Sequence, residues 1–141
     1  MTGYLVQTDE GEAPKQGMDT VPGKMYEYYH DLELLPTFGD LKTEEDLEKF
    51  GRIRVDLFDN KLFMPRHMIN GSSLLHVGPD SGEHSLVFAK WGADLTLMEP
   101  NPLAANQINA YFDHFKLQDR LKNLHQTDIA GYKGTEQFDI V

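Results

Sequence analysis

Leu74-Leu75-His76-Val77-Gly78-Pro79-Asp80-Ser81-Gly82 is the stretch on which the fold turns. A short apolar run enters a turn bracketed by Gly78 and Gly82, the pattern of a buried strand handing over to a helix. Residues 74–77 are therefore predicted as a first strand and residues 83–91 as a helix, with Gly92 placed for its left-handed C-terminal residue. Residues 94–98 follow as a second strand that ends at Glu99. Across residues 103–115, Ala104, Ile108, Tyr111, Phe112 and Phe115 recur at helical spacing and give one apolar face. Residues 123–126 and 138–141 have the composition of a third and a fourth strand. Strands alternating with helices call for a parallel sheet with right-handed crossovers, so the prediction is an α/β, doubly wound sheet of about four strands.

Upstream the character changes. Residues 1–22 carry Gly3, Gly11, Gly17, Pro14 and Pro22 among scattered charges, too few apolar groups to order by burial, and are expected to be a flexible tail. Residues 23–70 are expected to be a helical N-terminal segment. Tyr26, Tyr28, Tyr29, Leu32, Leu34 and Leu35 suggest a short helix that Pro36 ends. Thr43 then reads as an N-cap answered by Asp46 in a capping box, and Leu47, Phe50, Arg54, Leu57 and Phe58 continue at helical spacing past a weak point at Gly51. Asn70, Gly71 and Ser72 form the turn that opens the domain at residues 71–141.

The chain has 141 residues, enough for one domain with a modest core. Its net charge of −10 repels polyanions, so nucleic acid is not an expected partner. Apolar runs fall well short of the roughly 20 residues needed to cross a bilayer, and the acidic N-terminus is unlike a secretory signal. No membrane contact is expected, and the cytoplasm is the default compartment. There is no cysteine, which removes disulfides and thiolate zinc sites. His30, His67, His84, His114 and His125 show no metal-binding spacing, so no metal is expected. Phosphate-loop and nucleophile-elbow motifs are also missing.

The chemistry gathers at the strand ends. Glycine at 78 and 82 lets backbone N–H groups approach a ligand, and the following helix points its positive end into the loop. An acid at the end of the second strand opens onto the same crevice and can accept both hydrogen bonds of a ribose diol, a role open to Glu99. Asp128, after the third strand, opens there as well. Taken alone, Gly78 and Gly82 also fit an ordinary tight turn, and Glu99 a solvated strand end.

Residues 76–85 resemble the first motif of class I S-adenosylmethionine-dependent methyltransferases. Met98-Glu99-Pro100-Asn101 is similar to the second motif, Thr127-Asp128-Ile129 to the third, and Phe138-Asp139-Ile140-Val141 to the opening of the fourth. The likeness covers residues 73–141 and rests on four motifs in order. It implies a Rossmann-like domain that binds S-adenosyl-L-methionine. Gly78, Asp80, Ser81 and Gly82, with Pro79 among them, would wrap the methionine moiety, and Glu99 would hold the ribose. Pro100 and Asn101 would flank the adenine, Asp128 would take its amino group, and the Ile129 N–H would lie near the ring.

Two positions depart from the family pattern. His76 stands where an acid usually orients the cofactor's ammonium group, and Asp80 replaces the middle glycine. Aspartate tolerates a left-handed conformation, so the turn survives, and Asp80 can supply the charge that His76 lacks. A nicotinamide-dependent oxidoreductase is the nearest alternative, but its fingerprint needs glycines at 80 and 83, where this chain has Asp80 and Glu83. Because the sequence ends as the fourth strand starts, it is expected to be the N-terminal portion of a methyltransferase, truncated and inactive alone. A non-catalytic cofactor-binding remnant or interaction module is the alternative. The expected acceptor is a small or sugar-like molecule, with no general base assigned.

Overall fold

A computed structural model describes residues 40–141 together with Tyr28, Asp31, Leu32, Leu34 and Leu35. The expected tail at residues 1–22 and most of the expected helix at residues 23–36 lie outside the described residues. The first long helix, α1 (Glu44–Asp56), starts as its sequence predicts. Thr43 Oγ1 accepts the Asp46 N–H at 3.1 Å, and the Asp46 carboxylate accepts the Thr43 N–H at 2.8 Å. It does not continue as α-helix through Phe58; a π-helical turn over Leu57–Lys61 follows, and then a short helix, α2 (Arg66–Ile69).

Strands and helices then alternate as β1 (Ser73–Val77), α3 (Glu83–Lys90), β2 (Asp94–Met98), α4 (Pro102–His114) and β3 (Leu121–His125). The three strands form a parallel sheet in the order β1-β2-β3. Leu95, Thr96, Leu97 and Met98 are all buried, as expected of a parallel strand covered on its two faces. The larger departures from the sequence prediction come at the last two expected strands. The third strand begins at Leu121 rather than 123, because a 3-10 turn (Gln118–Arg120) feeds it directly. At the expected fourth strand the described residues hold a single parallel bridge, Leu74 to Ile140, outside any named strand.

That bridge lies at the amino end of β1. The Leu75 N–H donates to Ile140 O at 2.9 Å, and the Asp139 carboxylate accepts both the Ser73 N–H and the Ser73 hydroxyl at 2.8 Å. Asp139 is thereby tied some 13 Å of strand away from the glycine turn, at about 3.3 Å per residue.

The core runs from Leu47 and Phe50 of α1 through Leu86 and Val87 of α3 to the sheet, and on to Ile108 and Phe112 of α4. Helix α3 is buried over most of its surface, at Ser85 through Ala89, because the sheet lies on one side and α1 on the other. Gly82 fixes how closely the turn approaches α4. Its φ is +92°, and a Cβ there would stand 2.7 Å from Ile108 Cγ1.

Gly78 also has positive φ, +65°, but a Cβ there would meet nothing within 4 Å. Alanine at 82 therefore brings both backbone strain and overpacking, while alanine at 78 brings strain alone. Gly82→Ala should lower unfolding free energy by roughly 2–4 kcal/mol and Gly78→Ala by about 1 kcal/mol, read from urea denaturation. Equal losses would contradict the steric role of Gly82.

Candidate functional site

The site begins with the chain leaving β1. The Gly78 N–H donates to Met98 O at 2.9 Å, which prolongs the β1–β2 pairing past Val77. Asp80 takes a left-handed φ of +53°, a conformation that aspartate tolerates better than most residues. Its N–H thereby donates to Glu99 Oε2 at 3.1 Å. The other oxygen, Oε1, accepts the Asn101 N–H at 2.9 Å, and the Glu99 N–H donates to His125 O at 2.9 Å. One buried carboxylate thus joins the turn after β1 to the turn after β2, while its own backbone is held by β3. Asn101 completes the second turn: its side chain caps α4 by accepting the Leu103 N–H at 2.9 Å, and Pro102 sits at the first helical position.

Placement of the expected site residues follows from this frame. Gly78, Pro79, Asp80, Ser81, Gly82, Glu99, Pro100 and Asn101 come together at the carboxyl ends of β1 and β2. Asp128 and Ile129 follow β3, with Asp128 exposed and Ile129 70% exposed. Asp128 Oδ1 accepts the Gly131 N–H at 2.8 Å, which closes a tight turn over residues 128–131. His76 is turned elsewhere. Its Nδ1 lies 2.9 Å from Ser85 Oγ and its ring packs edge-on to Phe88 of α3, so its polar contact is made with the helix rather than with Asp80 or Glu99.

Glu83 takes part in a way the sequence reading passed over. It is fully buried at the first position of α3 and accepts the Ser81 hydroxyl at 2.7 Å. The available signal was an acid at a helix N-terminus two residues after a serine. Arg54 was also missed as a support: its guanidinium lies over the Phe50 ring at 3.8 Å, and its Nε donates to His84 Nε2 at 3.2 Å. α1 is thereby pinned to the first turn of α3.

Asp80, Glu83 and Glu99 bring three carboxyl groups around one glycine turn. Burial pushes the Glu99 carboxyl up to about 7, with Asp80 adding to the rise and the two backbone N–H donors opposing it. Burial likewise raises Asp80, reinforced by Glu83. The His76 imidazole is pushed down to about 4 by burial first and His84 second. No group of three or more His, Cys, Asp and Glu among the described residues is arranged to hold a metal ion. No helix among them is long and apolar enough to cross a membrane. In comparisons with known proteins, the chain matches no family model and no curated protein.

The opposite shifts of Glu99 and His76 make a prediction about stability. His76 has a depressed folded value, so its contribution is present above its unfolded value of 6.5 and is lost as pH falls toward 4. Glu99 has a raised folded value, so its contribution is present below its unfolded value of 4.5 and is lost as pH rises through 7. Between about pH 4.5 and 6.5 the folded protein holds one proton more on Glu99 and the unfolded chain one more on His76, and the two slopes offset. Glu99→Gln should uncover a fall in stability on acidification across that window, and His76→Asn a fall on alkalinisation through about pH 7, each of roughly 1–3 kcal/mol. Urea midpoints against pH would show it; two variants with the wild-type profile would refute the assignment.

Proposed function

We infer that the crevice at the carboxyl ends of β1 and β2 is an S-adenosyl-L-methionine site in a Rossmann-like, doubly wound domain, and that the chain serves methyl transfer to a small-molecule or sugar-like acceptor. The observation that carries this reading is the gathering of three carboxyl groups at the turn. Loops that bind dinucleotides hold a pyrophosphate against backbone N–H groups and a helix N-terminus. Here the carboxyl groups of Asp80, Glu83 and Glu99 stand around that position, so a pyrophosphate meets acceptors like itself, while a ligand bearing a sulfonium and an ammonium meets attraction that strengthens as Glu99 loses its proton around pH 7.

Topology supports the same reading. The Leu74–Ile140 bridge adds chain to the edge of β1 opposite β2, the reversal of direction that makes a ligand crevice in doubly wound sheets. Glu99 retains lone pairs beyond the two that its backbone donors use, since a carboxylate has about four acceptor sites. Gly78 leaves open space where a side chain would otherwise stand. The bound cofactor would supply a methyl group activated by positive sulfur; the residues named here bind and orient it, and positioning supplies much of the rate. Asp139, committed to Ser73 at the other end of β1, serves the fold in this reading.

Calorimetric titration should show binding of S-adenosylmethionine in preference to NAD, and tight NAD binding would overturn the proposal. Binding of neither would favour a non-catalytic module. Asp80→Asn is expected to weaken cofactor affinity more than His76→Ala, because Asp80 lines the turn while His76 bonds to Ser85. Equal affinities for the two variants would remove Asp80 from the site.

A further inference from the structure

Between α1 and α3, sharing no residue with the crevice just described, lies a cavity of about 300 Å³. That volume is at the small end of the range for small-molecule sites. Its apolar lining is Leu47, Gly51, Val55, Val87 and Trp91. Gly51 is the informative member. It is buried in the middle of α1, where glycine costs about 1 kcal/mol against alanine. A Cβ there would lie 3.9 Å from Val87 Cγ1 and Cγ2, an ordinary contact, so helix packing does not demand glycine. What glycine leaves is open volume above Val87.

The polar lining runs against the overall charge. A chain with 23 acidic and 13 basic residues places Arg52, Arg66 and Lys90 around this cavity, with Glu48 as the acid among the lining residues. Lys90 pairs with Glu44 at 2.6 Å and Arg66 with Asp59 at 3.5 Å, at partly exposed positions where such pairs hold weakly. Arg52 forms no ion pair among the described residues, and its planar fork matches a carboxylate.

We propose that this cavity is a second ligand site, taking a small organic carboxylate whose apolar body rests against Val87 and Trp91 and whose carboxylate is held by Arg52. Trp91 is the single tryptophan of the chain, so its emission reports on this cavity directly. Titration of the full chain with 3-phenylpropionate should give a saturable change in tryptophan emission, and the neutral 3-phenylpropionamide should bind about tenfold more weakly or less. Arg52→Gln, at an exposed position, should remove the preference for the acid. Gly51→Leu should abolish binding by filling the cavity, with circular dichroism confirming the fold. A change that does not saturate, equal response to acid and amide, or wild-type affinity in Arg52→Gln would each overturn the proposal. Should Gly51→Leu fail to fold, the acid-against-amide comparison in Arg52→Gln still decides.

Discussion

The Glu99 carboxylate, accepting one backbone N–H from Asp80 and another from Asn101, is the contact that fixes the turn after β1 against the turn after β2. A buried carboxyl without a cation beside it is costly, and hydrogen bonds to backbone donors offset part of that cost. In exchange, two turns far apart in sequence are held in one geometry. The left-handed backbone at Asp80 is what aims its N–H at Glu99, and the N-cap at Asn101 holds the second turn to the start of α4. The relative position of the two turns is thus set through main-chain N–H groups, which cannot change rotamer.

Behind the turn, α3 is braced from its outer side. Phe50, Arg54 and His84 link α1 to the first turn of α3, and His76 and Ser85 link that same turn to β1. The Arg54 contact needs His84 Nε2 as an acceptor, hence a neutral ring, and burial together with the Arg54 charge lowers its proton affinity to suit. α1 therefore works as a strut for the helix that follows the glycine turn.

Elements with a strong local period were legible in the sequence. The Thr43–Asp46 capping box, the apolar stripe of α4 and the αL residue at Gly92 follow from rules acting within a few residues, and the structure reproduces them. Long-range commitments were not legible. His76 faces Ser85 because the pleat directs that residue toward α3, a fact that depends on which face of β1 the helix covers. The third strand starts early because a 3-10 turn delivers Leu121 to the core. Gly82 could be marked as a turn residue from sequence, but its near-contact with Ile108 required α4 to be in place.

Ser73 and Asp139 are 66 residues apart, and their hydrogen bonds lie at an exposed site. Loop-closure entropy rises only slowly with length, so it is their exposure that lets these contacts open at low free energy. The chain at residues 139–140 is therefore expected to leave the edge of β1 before β1 leaves β2, to which it is paired from Ser73 to Val77. The carboxyl end of the same strand is secured independently by Gly78, Met98 and Glu99. β1 thus has a labile edge toward residues 139–140 and a durable edge toward β2, and the glycine turn leaves from the durable pairing.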